Sequence, residues 1–195
     1  MARTTTLTPS CKLCRREKEK LFLKGERCFS PKCAITKRNY VPGVHGLKRQ
    51  SRPSQYGQQL RAKQKAKRMY GVMEGKFRKY YSTATKHGDS ELYLQQQLEM
   101  RLDNTVYRLG FAISRGQARQ MVTHGHILVN GGKMDIPSYE VQTGDTITIK
   151  KDMMDKQIFK EVQTRIANQQ LPSWLSIEND TDLHGKILSR PAAED

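Results

Sequence analysis

Residues 113–131 read ISRGQARQMVTHGHILVNG and carry, in order, the signals for a helix, a tight turn and a β-hairpin. Ser114 can cap a helix through its side-chain oxygen, and Gln117 three positions later can reach back to the cap backbone, which is the capping-box pattern. A short β-branched and aliphatic run then ends at Asn130-Gly131, the dipeptide that best fits a two-residue hairpin turn. The stretch therefore predicts a helix beginning just after Ser114, followed by a hairpin.

The predicted helix has an apolar side and a basic side. Ala118, Met121 and Val122 fall on one stripe, while Arg115 and Arg119, four residues apart, lie together elsewhere on the surface. We expect the stripe to pack against the rest of the domain. The two guanidinium groups are then available to a partner.

Composition indicates what that partner is. The 195 residues include 35 Lys and Arg against 19 Asp and Glu, a net charge of +16, and residues 1–81 alone hold 22 basic and 4 acidic side chains. Such an excess of positive charge predicts that the protein binds a polyanion. A membrane surface is the poorer interpretation, because no apolar run approaches the ~20 residues that span a bilayer. The N-terminal MARTTTLTPS also lacks the apolar core of a signal peptide.

Four cysteines, Cys11, Cys14, Cys28 and Cys33, have the spacing C-x2-C-x13-C-x4-C. Two close pairs separated by a loop can wrap a tetrahedral Zn²⁺ ion, and the surrounding Lys and Arg side chains favour thiolates. Two disulfides or four unliganded thiols are the alternatives, but nothing marks the chain as secreted, and iron–sulfur clusters use other spacings. Four sulfur ligands leave no open position for water, so we predict one structural Zn²⁺ ion.

Basic segments follow the cysteines. Residues 37–57 are punctuated by Pro and Gly and mix aromatic with basic side chains, a combination that suits RNA; a solvated linker is the alternative. The next helix, predicted at residues 54–70, is basic around much of its circumference. Like charges at helical spacing destabilise an isolated helix. We expect a polyanion to relieve that repulsion.

Two further helices are predicted at residues 74–87 and 90–109. The aromatic side chains of the first, Phe77, Tyr80 and Tyr81, are expected in a small core. In the second, Arg101 and Arg108 lie off the leucine stripe. They can join the arginines of residues 113–131 on an RNA-facing surface or pair with Glu99 and Asp103 of their own helix, and the sequence leaves both open.

The remaining pattern predicts a small antiparallel sheet at residues 127–150, packed on two helices, and a third amphipathic helix at residues 152–170. His124 and His126 have no carboxylate or Cys ligands nearby, so we interpret them as turn or RNA-contact residues. Trp174, the only tryptophan, is expected to anchor the C-terminal segment on one of the cores.

These elements predict an α+β protein in three parts. Residues 1–45 form a zinc knuckle and an extended basic segment, residues 46–91 a helical domain completed by residues 171–195, and residues 92–170 an RNA-binding module with a trailing helix. Hydrophobic residues make up only 36% of the chain, so one thick core is not expected. The predicted RNA contacts are Arg3, Lys12, Arg38, Tyr40, His45, Lys48, Arg49, Arg52, Tyr56, Arg61, Lys65, Arg68, Arg101, Arg108, Arg115, Gln117, Arg119 and Lys133.

Over nearly its whole length the chain resembles the family of the small-subunit ribosomal protein number four, in its bacterial, four-cysteine form. The resemblance rests on RLDNTVYRLGFAISRGQARQMVTHGHILVNG, with DIPSYEVQTGD after it and KGERCFSPKCA, PGVHG and RPSQYG before it. It implies a primary binder of small-subunit ribosomal RNA at a multi-helix junction of the cytoplasmic ribosome, which nucleates subunit assembly. It also implies a part in translational accuracy, contact with ribosomal protein number five, and a place near the messenger RNA entry path. The family commonly continues past the equivalent of Arg190-Pro191 with a short apolar segment.

Two other classes of protein remain as alternatives. An RNA-modifying enzyme can carry a similar module, but the sequence shows no phosphate-binding loop, dinucleotide fingerprint or nucleophile pattern, and no small-molecule substrate is predicted. A zinc-dependent DNA-binding regulator would place base-reading side chains on a helix next to the metal, whereas the charge here is spread along an extended tract. We therefore predict a non-enzymatic protein.

Overall fold

The chain forms two compact units, Met1–Phe77 and Arg78–Asp195. Arg3 and Arg49, two of the predicted RNA contacts, lie outside the described residues, as does most of the predicted helix at residues 152–170. Within the described part of the chain, no helix is both long enough and apolar enough to cross a membrane. The computed structural model describes residues 9–48, 51–153, 162, 166, 170–179 and 184–192.

The first unit is helical with a thin core. The predicted helix at residues 54–70 is confirmed, and it begins where Ser54 Oγ accepts a hydrogen bond from Gly57 N at 3.2 Å. Among the buried apolar side chains of the unit, Leu21 and Phe77 are nearly inaccessible to solvent. The helices that begin in this unit are α1 (Ser10–Glu17), α2 (Ala34–Lys37), α3 (Gln55–Met69) and α4 (Glu74–Ala84), whose residues from Arg78 onward belong to the second unit; a 3-10 turn lies at Gly25–Cys28.

Helix α4 buries fewer aromatic side chains than its pattern predicts. Phe77 is buried and Tyr80 is half-buried, but Tyr81 is 57% exposed. The prediction of a core position is therefore wrong for Tyr81. The buried positions Phe77 and Ala84 are seven residues apart, so the buried stripe of the helix is narrow and does not include every aromatic side chain.

The second unit contains an antiparallel sheet, and its described strands have the order β2-β1-β3-β5-β4. Asn130 and Gly131 both have positive φ, 50° and 79°, as a type I′ turn requires, which confirms the predicted hairpin. Asn130 also donates from Nδ2 to Asp145 Oδ1 at 2.8 Å, joining the hairpin turn to the turn before β3. The elements are α5 (Ser90–Glu99), α6 (Leu102–Arg108), α7 (Arg115–Thr123), β1 (Ile127–Val129), β2 (Gly132–Lys133), β3 (Thr146–Ile149), β4 (Leu175–Asn179) and β5 (His184–Ile187).

The prediction of a single helix at residues 90–109 is wrong, because the helix is interrupted between α5 and α6. Arg101 is extended, with φ −71° and ψ 136°. Leu102 N donates to Tyr139 O at 2.8 Å, and Val141 N donates to Met100 O at 2.9 Å. Backbone bonds to residues 137–141 thus replace helical bonds at the break.

The C-terminal segment lies in the second unit and differs from its predicted place in the helical domain. Strand β5 pairs with β3 on one side and β4 on the other, so this segment extends the sheet. Trp174 and Ile187 are buried in the same core cluster as β1 and β3, which confirms the predicted anchoring of Trp174. Val162 and Ile166 of the predicted third helix are helical and contact this cluster, whereas Ile158 and Phe159 lie outside the described residues.

Candidate nucleic-acid interface

Helix α7 is positioned by the predicted cap. Ser114 Oγ accepts from Gln117 N at 3.3 Å, while Gln117 Oε1 accepts from Ile113 N at 2.7 Å, one residue earlier than the capping box places it. The predicted apolar stripe is buried. Arg115 and Arg119 lie beside this stripe and reach toward Asn104 and Asp103 of α6.

Two buried carboxylates organise the arginines of this region. Arg108 donates from Nε and Nη2 to the two oxygens of Glu99, at 2.8 and 2.9 Å. Arg101 binds Asp103 in the same two-pronged way, at 3.0 and 2.7 Å. Such paired hydrogen bonds fix the plane of each guanidinium as well as its position.

Helix α7 joins the same cluster through Asn104. This side chain donates to Glu99 Oε2 at 2.7 Å and accepts from Arg115 Nε at 2.7 Å. The guanidinium of Arg115 also lies over the ring of Tyr107, 4.7 Å from its centroid, and Arg119 Nη1 is 3.9 Å from Asp103. We call this set the arginine network: Glu99, Arg101, Asp103, Asn104, Arg108, Arg115 and Arg119.

Exposure separates the members of the network. The side chain of Arg101 is 4% exposed, against 14% for Arg115 and 28% for both Arg108 and Arg119. Burial alone would lower the pKa of Arg101, but the hydrogen bonds and charge of Asp103, with Tyr80, raise it, so the group stays charged. Of the two arrangements that the sequence left open for Arg101, the structure shows the pairing with Asp103, and the side chain is buried.

Basic side chains along one line of α3 also form ion pairs with carboxylates of the same unit. Arg61 Nη1 lies 3.1 Å from Glu17 Oε1, and Arg68 pairs with the same oxygen. Lys65 Nζ lies 2.6 Å from Glu19. A polyanion was expected to relieve the repulsion along this helix, but these carboxylates already do so.

A second line of α3 meets the first turn of α4. Lys63 and Lys67 donate to the two oxygens of Glu74, at 2.6 and 2.9 Å. The hydrogen bond from Lys63, followed by that from Lys67, lowers the pKa of Glu74 to about 2. This carboxylate therefore stays charged through most of the acid range.

The tract before α3 presents most of its predicted contacts to solvent. Arg15 of α1 covers Tyr40, donating to its carbonyl at 3.0 Å and lying 4.5 Å from its ring centroid. That arrangement leaves Tyr40 half-buried and already stacked. The exposed predicted contacts are Lys12, Arg38, His45, Lys48, Arg52, Tyr56 and, on β2, Lys133.

The four cysteines are free, and all but Cys11 are buried. Lys24 N donates to Cys28 Sγ at 3.3 Å. Burial, joined by the charges of the other cysteines, raises the pKa of Cys14. At Cys33 burial is outweighed by backbone hydrogen bonds from Ile35 and Thr36, which lower its pKa.

The donor chemistry of these cysteines suits zinc, since buried thiols with backbone amide donors are typical thiolate ligands. Helix α1 contains Cys11 and Cys14, and Cys33 is the N-cap residue of α2. The two helices are in contact. In the part of the chain that is described, however, no three His, Cys, Asp or Glu side chains have an arrangement that would hold a metal ion.

One feature was missed by the sequence analysis. The rings of Phe22 and Phe29 stack at a centroid distance of 5.0 Å on the surface of the first unit. The available signal was two aromatic residues within the basic stretch from Lys20 to Lys32.

Comparison with known proteins places these features in a family. Residues 6–99 match the family model described as ribosomal protein S4/S9 N-terminal domain, and residues 100–147 match the S4 domain. The small ribosomal subunit protein uS4A of Alkaliphilus metalliredigens is 52% identical over 196 residues, covering 100% of this chain and 92% of the relative. The uS4 proteins of Halothermothrix orenii and Acidobacterium capsulatum are each 50% identical; they cover 96% and 100% of this chain, and 89% and 92% of the relatives.

Proposed function

The chain belongs to the ribosomal protein uS4 family, and we infer that it is a non-enzymatic constituent of the small ribosomal subunit that binds the subunit's RNA. Its place is the cytoplasmic ribosome. Its net charge of +16 is opposite in sign to that of a polyanionic partner.

The arginine network is the observation that carries this function. Arg108, Arg115 and Arg119 are held by internal partners while keeping part of each side chain at the surface. A guanidinium that is already oriented loses less conformational freedom when it meets a phosphate. The network thus provides an ordered basic surface on the S4 domain.

A second set of cations lies on the first unit, in the exposed tract around Arg38, Lys48 and Arg52. We propose that the two units contact different RNA helices, so that shape rather than base sequence selects the binding junction. On this proposal the protein is a primary binder that nucleates subunit assembly. A contribution to translational accuracy, contact with ribosomal protein number five and proximity to messenger RNA rest on the family resemblance.

We also propose that Cys11, Cys14, Cys28 and Cys33 hold one structural Zn²⁺ ion. The support is the ligand set, its spacing, the burial of three thiols and the amide hydrogen bonds around them. Because the described side chains are not drawn together for metal binding, the ion would have to bring the two pairs into one shell. Native mass spectrometry should show one zinc per chain, lost in Cys14→Ser and retained in a Ser10→Ala control. A chain that stays metal-free with zinc present would contradict the site.

The RNA function is tested with the full chain and a transcript of bacterial small-subunit ribosomal RNA. We expect the transcript to bind more tightly than duplex DNA of equal length at equal salt, with affinity falling steeply as salt rises. Equal affinity for the DNA duplex would instead support the zinc-dependent DNA-binding regulator. Absence of RNA binding would overturn the proposed function.

A further inference from the structure

Phe22 and Phe29 form an aromatic surface in the first unit. Their ring planes are inclined by 29° with centroids 5.0 Å apart, which is an offset stack. Phe29 is 73% exposed and Phe22 is 37% exposed, so both residues of the stacked pair are accessible to solvent. Large apolar rings in a stacked pair at the surface are suited to contact with a further flat group.

The backbone at Phe22 supports a specific role for the pair. Its φ of 50° lies in the left-handed region, which a bulky side chain rarely adopts. The preceding Leu21 is buried, so the turn sends one side chain inward and the next outward against Phe29. Strained backbone of this kind persists where the surrounding structure enforces it, and it concentrates at binding sites.

The charge around the pair indicates the chemistry of its partner. Residues 9–48 contain 11 basic and 3 acidic side chains, and the carboxylate of Glu17 among the acids is buried against arginines. Lys20, Lys24 and Arg27 adjoin the two rings in sequence. Aromatic faces within a strongly basic segment are the combination that binds single-stranded nucleic acid, where bases stack and phosphates pair with cations.

We propose that Phe22 and Phe29 form a stacking platform for an unpaired nucleobase of the bound RNA. The base must be unpaired, because a base inside a helix offers its faces only to neighbouring bases. Tyr40 does not compete for this role, since Arg15 already lies against its ring. The inference rests on the proposed function and adds to it a recognition site on the first unit.

The test compares full-length variants in binding to the small-subunit ribosomal RNA transcript. Phe29→Leu keeps an apolar side chain but removes the aromatic face, and we expect about tenfold weaker binding. Phe29→Tyr keeps the face and should bind like the parent protein. Tyr81→Leu is the control, because it removes an exposed aromatic ring outside the platform, 57% exposed against 73% for Phe29.

Two further measurements separate stacking from other effects. Because no cation is lost, the slope of log affinity against log salt should be the same for Phe29→Leu and the parent protein. On a fully paired RNA duplex the two should bind equally. Phe22→Leu should reproduce the loss on the transcript, which guards against a folding defect of one variant.

Each outcome has a distinct meaning. The platform is refuted if Phe29→Leu binds the transcript as tightly as the parent, if Phe29→Tyr loses as much affinity as Phe29→Leu, or if the loss appears equally on the duplex. If the parent protein itself fails to bind the transcript, the proposed function fails instead.

Discussion

Arg61 of α3 is joined to Glu17 at the end of α1, with 3.1 Å between Nη1 and Oε1. The side chain of Glu17 is only 2% exposed, and Arg68 binds the same carboxylate oxygen. Two arginines predicted to face RNA thereby connect two helices of the first unit. In the structure, these arginines therefore stabilise the packing of α3 against α1.

We expect Glu17→Ala to lower the free energy of unfolding of the first unit by about 2 kcal/mol, because two guanidinium groups lose a buried partner. The control is Glu19→Ala, whose carboxylate is largely exposed and pairs only with Lys65 in the described contacts; it should cost less than about 1 kcal/mol. Hydrogen exchange of the α1 and α3 amides measures both. Similar losses in the two variants would show that Glu17 has no special structural role.

The exposed and buried arginines of the network should separate by their effects. Arg119→Ala should weaken RNA binding and reduce the salt slope by about 1, with little change in thermal stability. Arg101→Ala leaves the buried Asp103 without its two-pronged partner and should destabilise the second unit by about 3 kcal/mol. Binding titrations and thermal melts on both variants check the contrast. A stability loss of the same size in Arg119→Ala would assign that residue to the interior.

The pair of Glu74 with Lys63 and Lys67 predicts a pH dependence. The pKa of Glu74 is lowered from 4.5 to about 2, so its stabilisation is present above the unfolded pKa and is lost as pH falls toward 2. Denaturant midpoints of Glu74→Gln and the parent protein should therefore differ at pH 7 and converge near pH 2. Asp135→Asn serves as the control, because it removes an exposed carboxylate outside this pair. The difference between its denaturant midpoint and that of the parent protein should not shrink from pH 7 to pH 2 in this way. A constant difference across that range would exclude the assigned cause.

Removal of zinc should act on one unit only. If the four cysteines hold the ion, chelation should speed amide exchange in residues 10–38 and spare residues 102–149, which have their own apolar core. Re-addition of Zn²⁺ should restore the protection. Simultaneous opening of both regions would contradict the separation, and unchanged exchange everywhere would argue against the metal.

Glycine at position 185 of β5 is packed closely against Leu109. A Cβ added there would lie 2.5 and 2.7 Å from the two terminal carbons of Leu109, which is fully buried and cannot withdraw. We expect Gly185→Ala to cost about 1–3 kcal/mol by overpacking. Gly116→Ala is the control, since its added Cβ meets only Ser114 Oγ at 3.8 Å and a helical Ala should be neutral or stabilising. Thermal melts of the two variants decide the point.

Local signals predicted local structure well. The cap at Ser114, the apolar stripe of α7 and the Asn130-Gly131 turn each depend on residues a few positions apart, and each is present. The start of α3 at Ser54 belongs to the same class. In these segments the sequence alone contains nearly all the determining contacts.

Distant contacts account for what the sequence left open or missed. The break at Arg101 depends on backbone bonds to Tyr139 and its neighbours, which no helical periodicity can indicate. Arg61 meets a carboxylate 44 positions earlier in the chain. The short strands β5 and β4 gain stability from pairing, β5 with β3 and β4 with β5, so their own sequence patterns are weak. The sequence shows which residues are basic, whereas the carboxylates that they contact are known only from the fold.

The order of strands in the second unit also bears on how the nascent chain reaches its native state. Strand β3 is synthesised well before β5, its neighbour in the sheet, so until the later strand arrives one edge of β3 has unsatisfied amide and carbonyl groups. An open edge of that kind invites pairing with other chains. A prematurely terminated polypeptide lacking the last two strands should therefore be prone to aggregation and be a substrate for chaperones and proteolytic quality control.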